Sequence, residues 1–573
     1  MTKTPSQPAA LSDEDSERTP WERWAPLAVW LLPLLLFAPA LAFPLLAWDD
    51  HTFILRNNVV TGDPTLVERL LTPQSGYIIP VTTNLQSLLW ALSPSAWLFH
   101  ACNVLLHAGV CGVLYALCRR LGASALGAGA AALVFGVHPV VVEPVAWATG
   151  LKDLLAVGAG LGATLLFVTG VQSGSQESAP PSGKLWAGAA VLALVAMFSK
   201  PVGATVGLAW LAWLGLCHRD ASKAAWAAAA SVFVAGLAVL LGSSAVHQAL
   251  LDTQPNPEVA PTGGRLWQPL MAAGYHLEHL LWPVGLHPSY PIDRTVGWGD
   301  WHTLLGAAGV LGVGVLAWMG RKRPEVVLGL ALAAVLFAPV SNLIPFPRFL
   351  ADSYMYGPLA GVALAASGVV SWAPAKRAAA VAVLAVVVLG AVSVSQVQRW
   401  SSHEALWVPV TTAHPDWHRP WQALGQGLMA EQRPKEAAEA YRQSFARHYD
   451  PGHLSTLARA LAISQQPAEA ECVFAEDLRL GPKPERAGVN LALFLVTHPQ
   501  HTPAHPWEGR QALEMALSVS KQGELRWKPQ WIEALEPRLA LLSNAKQGPW
   551  SPRVCPSLQA RAEKLVPGDA LTP

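Results

Sequence analysis

APLAVWLLPLLLFAPALAFPLLAWDD, residues 25–50, is an apolar run that ends in two adjacent carboxylates, Asp49 and Asp50. Its apolar part, from about Ala25 to Ala47, is long enough to cross a bilayer, which takes roughly 20 residues of helix. The aspartates therefore fall at a membrane–water boundary. Charge beside hydrocarbon is costly, so a pair of acids there calls for an explanation. Like charges this close resist ionising together, which suits proton abstraction at a membrane surface. The plain alternative is a helix end capped by acids.

The rest of the chain follows the same pattern. Of 573 residues, 52% are hydrophobic and 13% charged, against about 25% charged in soluble domains. Repeated apolar stretches predict an all-α polytopic bundle. Spans are expected near 25–47, 97–118, 123–142, 150–171, 185–199, 201–217, 224–249, 303–320, 325–344, 354–372 and 377–396, about eleven in all. A net charge of +1 gives no global attraction to nucleic acid. Residues 1–24 form a polar, acid-rich tail, a poor start for a cleaved signal, so the first span reads as uncleaved. Six cysteines show no metal-ligand spacing. Cys102, Cys111 and Cys118 read as packing residues, and a disulfide is open to Cys472 and Cys555.

Basic residues set the orientation. Arg119 and Arg120, Lys184, Arg219 and Lys223, Arg321 to Arg323, and Lys376 and Arg377 fall in alternate loops. The intervening loops carry only Lys152, Lys200, Arg265, Arg294 and Arg348. The bias places the N-terminus inside, with the Asp49 loop and everything after about Gln396 outside. The apolar stretch 267–290 would invert later loops if it spanned, so it is read as an external membrane-surface helix.

The polar motifs then collect on the external side. They are the first loop, 48–96; HPVVVEPVAWATGLKDLL, 138–155, with His138, Glu143, Lys152 and Asp153; SKP at Ser199, Lys200 and Pro201; HLLWPVGLHPSYPIDR, 279–294; and SNLIPFPRFLADSYMY, 341–356, with Arg348, Asp352 and Tyr354. Basic residues retained there against the topological trend suggest an anionic partner such as a lipid phosphate. Each has a structural alternative. His138 before Pro139 could end a helix, Lys152 and Asp153 could pair locally, Lys200 could snorkel, and Asp352 could cap the helix after it.

Residues 400–573 are more polar and have helical periodicity. Trp421, Leu424, Gly425, Leu428, Ala437, Tyr441 and Pro451 match the spacing of a tetratricopeptide repeat. Leu454, Leu457, Ala458, Leu461, Ala470 and Phe474 take equivalent places about 33 residues on, and a degenerate third copy is expected around Trp507 to Val519. Such repeats stack into solenoids that hold peptides or partner proteins.

WDD at 48–50, FHACNVLLH at 99–107, HPVVVEPVAW and LKDLL within 138–155, SKP at 199–201, and SNLIP and ADSYMY within 341–356 occur in an order and spacing that carry a resemblance. Over roughly residues 25–480 the chain resembles C-class glycosyltransferases with tetratricopeptide repeats, similar to transmembrane O-mannosyltransferases of the secretory pathway and their bacterial relatives. The resemblance implies a polyprenyl-phosphate-linked sugar as donor, an acceptor on the external face, and catalysis at Asp49 and Asp50. Relatives usually carry Arg-Pro where this chain has Ile79 and Pro80, and an arginine where it has Ser353.

The expectation is an inverting glycosyltransferase of the bacterial inner membrane, moving a hexose such as mannose to a Ser or Thr of an exported protein. Asp49 or Asp50 would act as base. His138, Glu143, Lys152, Asp153, Lys200, Arg348, Asp352 and Tyr354 would form the donor and lipid-phosphate site, with no metal and no other cofactor. Trp421 and Tyr441 in the periplasmic domain, 400–573, would meet the acceptor polypeptide. The multi-spanning domain is 25–399. A non-catalytic scaffold for envelope proteins is the alternative. A lipid transporter ranks last, because the polar motifs sit at one surface rather than at the bilayer midplane.

Overall fold

The computed structural model describes residues 20–74, 76–173, 183–253, 267–293, 297–343, 348–521, 529–543, 555 and 558. The polar tail before residue 20, Arg265 and Arg294 lie outside them. Among the described residues, every regular element is helical; the one β-type pairing is an isolated bridge between Gln74 and Tyr77. The chain divides into two compact units: one of Met1–Leu45 and Asp49–Ser402, the other of Leu46–Trp48 and His403–Pro573.

The first unit begins with Pro20–Phe37 (α1). Its loop carries Leu66–Leu71 (α2) and Pro80–Leu92 (α3). Then come Ala96–Arg120 (α4), Ala125–Val137 (α5), Val142–Ala146 (α6), Leu151–Ser173 (α7) and Gly183–Ser199 (α8). Val206–Cys217 (α9), Lys223–Thr253 (α10), Gln268–Leu281 (α11), Trp301–Met319 (α12), Pro324–Phe337 (α13), Tyr356–Val369 (α14) and Ala375–Arg399 (α15) complete it. Pairs α4 with α7, α7 with α8, α11 with α12, and α13 with α14 make the main contacts.

Among the described residues, six helices are long and apolar enough to cross a membrane, seven if one bent pair counts as a span. They cover the first, second, fourth, seventh, eighth and eleventh expected spans. The bent pair is the third: its axis turns by 53° between Val137 and Pro139, where the proline removes a donor and disfavours helix before it. Gly183–Ser199, Pro201–Cys217 and Pro324–Val340 are shorter apolar helices. The first span stops at Ala42 rather than Ala47. Pro39 and Pro44 each lack a backbone donor, and the chain reaches the aspartates through an irregular stretch.

The stretch expected at the membrane surface contains α11, 14 residues long. At 1.5 Å per residue it reaches only about 21 Å, short of a roughly 30 Å hydrocarbon core. It crosses α12 backbone to backbone: a Cβ at Gly274 would stand 1.8 Å from the carbonyl oxygen of His302. Glycine is required there.

The second unit contains His403–Ala413 (α16) followed by helix pairs. These are His418–Ala430 (α17) with Pro434–Arg447 (α18), Leu454–Ile463 (α19) with Pro467–Leu480 (α20), and Pro484–Thr497 (α21) with Pro506–Lys521 (α22). Leu424, Gly425, Leu428, Ala437 and Tyr441 are buried in the first pair, as are Leu457, Ala458, Leu461, Ala470 and Phe474 in the second. Gln432 and Gln465 both adopt left-handed conformations, φ 62° and 61°, at the same point of each turn. Cys472 and Cys555 are joined in a disulfide.

Candidate functional site

Asp49 and Asp50 share a turn but not an environment. The Asp49 carbonyl accepts the N–H groups of Thr52 (2.9 Å) and Phe53 (2.8 Å), which winds the chain into a tight turn. Asp50 is fully buried. Its Oδ1 accepts the Thr149 N–H at 2.9 Å and the Thr149 hydroxyl as well. Asp49 is half-buried, and its carboxylate makes no hydrogen bond or ion pair among the described residues. One aspartate is anchored and the other is available.

Thr149 sits in a turn, Ala148–Gly150, just ahead of α7. A Cβ at Gly150 would stand 2.1 Å from the Pro144 carbonyl oxygen, so only glycine allows the turn to close. The Thr149 carbonyl accepts Lys152 Nζ at 3.1 Å. That ammonium lies 4.5 Å from the Trp147 ring centre and 4.8 Å from that of Phe53. Asp153, Asp49 and Asp50 supply attractive charge to it, yet no carboxylate reaches ion-pair distance among the described residues. Lys152 is thus a cation held by rings and a carbonyl.

Lys200 follows at the end of α8. Its ammonium binds Asp153 Oδ1 at 2.5 Å and stands 5.6 Å from the Tyr354 ring centre. The Tyr354 hydroxyl donates to the Arg348 carbonyl at 3.1 Å. Arg348 Nη2 pairs with Glu143 Oε1 at 2.9 Å and also donates to the Pro288 carbonyl. Ser353 Oγ donates to that same Glu143 oxygen at 3.0 Å. Ser353 and Arg348 therefore meet on one carboxylate. Asp352 Oδ1 accepts the Tyr290 hydroxyl at 2.7 Å, and His279 Nδ1 lies 3.3 Å away.

Contacts thus link Asp50 to Thr149 and Lys152, Asp153 to Lys200, Tyr354, Arg348, Glu143 and Ser353, and Asp352 to Tyr290 and His279, while Asp49 acts on Lys152 and Arg348 by charge alone. Buried atoms are left unpartnered among the described residues: Glu143 Oε2, Asp153 Oδ2 and Arg348 Nε. Burial tends to lower Arg348, but the charges of Glu143, Tyr354, Asp49 and Asp352 raise it above its ordinary value. Burial opposes the Asp352 carboxylate; His279 and the Tyr290 hydroxyl outweigh it and hold Asp352 below the usual carboxylate range. Burial, first of all, pushes the Tyr354 phenol up, so it stays a neutral donor.

Two candidates from the sequence are placed otherwise. His138 Nδ1 accepts the Val140 N–H at 3.2 Å, so its proton is on Nε2, which faces the Leu280 carbonyl at 3.1 Å. Both nitrogens are spent on the backbone, and His138 is a turn cap rather than a phosphate ligand. Tyr441 is 2% exposed and lies against Gly425, so it fills a helix pair. Trp421 is half-buried, with the Arg447 guanidinium 4.8 Å from its ring centre. The sequence assigns no role to Thr149, Tyr290 and His279, although the stretches that hold them, 138–155 and 279–294, read as external polar motifs.

No family model matches the chain, and no curated protein matches it. Among solved structures it is similar to the Archaeoglobus fulgidus oligosaccharyltransferase tethered with an acceptor peptide, at 14% identity and TM-score 0.41, over 73% of this chain and 59% of that one. It is also similar to ArnT from Cupriavidus metallidurans in the apo state, at 14% identity and TM-score 0.38, over 78% and 79%. ArnT bound to undecaprenyl phosphate is matched at 12% identity and TM-score 0.37, over 91% and 88%. The chain spans about three fifths of the oligosaccharyltransferase.

Proposed function

We propose that this chain is a C-class glycosyltransferase that moves a hexose, with mannose the first candidate, from a polyprenyl phosphate to a Ser or Thr hydroxyl of an exported protein. The observation that carries the reading is an aspartate, Asp49, whose carboxylate has no hydrogen bond or ion pair among the described residues and whose charge acts on Lys152 and Arg348, with Lys200 held by Asp153 in the same unit. Asp49 takes the hydroxyl proton as the acceptor oxygen forms its bond to the anomeric carbon from the face opposite the phosphate. The bond from that carbon to the phosphate oxygen breaks, and configuration inverts. Its electron pair stays on the phosphate, whose charge the three cations stabilise. Asp50 stays anchored on Thr149. Glu143 and Asp153 orient Arg348 and Lys200 rather than touching phosphate, since like charges repel. No metal is part of the proposal.

The helix pairs of the second unit are proposed to be tetratricopeptide repeats that dock the acceptor polypeptide through half-buried positions such as Trp421. The disulfide supports an oxidising compartment for that unit, in keeping with a periplasmic placement in a bacterial inner membrane and a cytoplasmic N-terminus. A scaffold reading is favoured by one observation: Lys200 and Arg348 already have carboxylate partners, as purely structural pairs would. The test is transfer from labelled polyprenyl-phosphate sugars to exported proteins by the purified chain. Transfer that Asp49→Asn abolishes supports the enzyme. No transfer, with normal binding of exported proteins, favours the scaffold.

A further inference from the structure

The stretch FHACNVLLH, 99–107, has no part in the proposed reaction, yet it buries polar side chains inside a spanning helix. Asn103 and His107 on α4 are both fully buried. Four residues apart, they share one face of the helix, about 6 Å from each other along its axis. The bend at Pro139 explains what they hold. Proline offers no N–H to the Phe135 carbonyl, and the Val140 N–H goes to His138 Nδ1 at 3.2 Å rather than to Gly136. The Gly136 carbonyl thereby loses its helical donor, and His107 Nε2 supplies another at 3.0 Å. A Cβ at Gly136 would stand 2.9 Å from Cys111 Sγ, so glycine lets α4 and α5 come this close. The rings of Phe37 and Phe135 close over the imidazole, 5.3 and 5.7 Å from it centre to centre.

Asn103 grips the other end of the same segment. Its Nδ2 donates to the Trp147 carbonyl at 2.8 Å, just before the turn that presents Thr149 to Asp50. Gly136 and Trp147 are eleven residues apart, a reach of up to ~36 Å for extended chain. Here both are held from points about 6 Å apart on one helix. A third contact sets the register. With Nε2 donating, Nδ1 of the neutral His107 ring accepts the Tyr356 hydroxyl at 2.8 Å. Tyr356 opens α14, directly after the turn that carries Asp352, Ser353 and Tyr354. We propose that Asn103 and His107 are positioning residues of the transferase. From one face of α4 they fix both ends of the segment 136–147 and dock it on the start of α14, so that Glu143 meets Arg348 and Ser353, and Thr149 meets Asp50. Being fully buried, both act through this segment rather than on substrate. The kinetic consequence rests on the transferase reading; the placement of Glu143 does not.

The experiment uses the full chain. His107→Leu keeps an apolar side chain and removes both hydrogen bonds; Asn103→Leu releases the Trp147 carbonyl. Each should lower kcat for transfer from a labelled polyprenyl-phosphate sugar by about a hundredfold, the scale of a 1 Å misplacement, with acceptor KM unchanged. His107→Gln, whose amide offers both an N–H and an accepting oxygen, should recover most of that loss. Should His107→Leu not fold, Tyr356→Phe removes a single hydroxyl and should lower kcat several-fold. The control is Thr164→Val, which breaks a buried 3.0 Å hydrogen bond from Trp210 Nε1, between α7 and α9. It should lower melting comparably and leave kcat alone. A fall in activity no larger than the loss of folded protein, as in the control, overturns the proposal, and so does a His107→Gln variant as slow as His107→Leu. A second readout needs no activity. Melting shifts of independent sites add; those of His107→Leu, or Tyr356→Phe, and Arg348→Gln should not, the double variant losing less than their sum. Additive shifts overturn the proposal even where transfer is normal. A wild-type chain that transfers nothing sinks the transferase reading instead, and the double-variant melting then decides alone whether α4 places Glu143.

Discussion

Glu143 in the first unit and Glu471 in the second are almost equally buried, at 3% and 4% exposure. Glu471 is fully engaged: its oxygens take the Ala504 N–H at 2.9 and 3.1 Å, and His501 Nε2 stands 2.8 Å from Oε2. Glu143 uses Oε1 twice and leaves Oε2 unpartnered among the described residues. A buried polar atom without a partner costs stability, so a fold that tolerates one beside a cation cluster is holding capacity in reserve. The helix pairs spend their polar groups on themselves. The network around Asp49 does not.

The comparison breaks first at Asp49. Asp49→Asn should lower transfer by about 10²–10⁴-fold, the usual worth of a general base, with no loss of melting temperature, because its carboxylate holds nothing. Asp50→Asn and Thr149→Val should instead lower the melting temperature, and a double-mutant cycle between them should be non-additive. Equal loss of activity with equal loss of stability at both aspartates would erase the distinction.

Glu143→Ala should come next. Breaking a buried pair while leaving one charge behind costs about 3–5 kcal/mol, so melting should fall and donor affinity with it. Lys200→Gln removes one charged contact, worth about 1.5–3 kcal/mol, or roughly ten- to more than a hundredfold in apparent donor affinity at saturating acceptor. Unchanged donor affinity in both would leave the scaffold reading as the better one. Glu471→Gln should cost about 1–3 kcal/mol in unfolding of the second unit alone, with donor affinity unmoved.

The smallest effect concerns acid. Asp352 is held below its ordinary carboxylate value in the fold. Its contribution is therefore complete above that ordinary value and fades as pH falls toward the folded one. Melting followed from neutral pH downward should decline through that acid window, and Asp352→Asn should flatten the decline.

Helix content was legible in the sequence wherever apolar length alone decided it. Proline positions could have told more: Pro39 and Pro44 shorten the first span, and Pro139 bends the third. The candidate site was legible as motifs, because charge next to hydrocarbon stands out in any run of letters. Roles within it were not. His138 and Tyr441 looked like ligands because their chemistry suits the part, yet the backbone consumes the first and packing encloses the second.

By itself, then, the sequence determined the helical class, the apolar runs, the repeat offset in the C-terminal third and the set of polar residues from which a site would be drawn. Those follow from composition and periodicity, which act locally along the chain. Only the tertiary structure decided which aspartate is anchored, that Arg348 and Ser353 share Glu143, and that Cys472 meets Cys555. The reason is distance. A hydrogen bond acts over about 3 Å, and the partners it joins here are separated by tens to hundreds of residues, a separation that only folding closes.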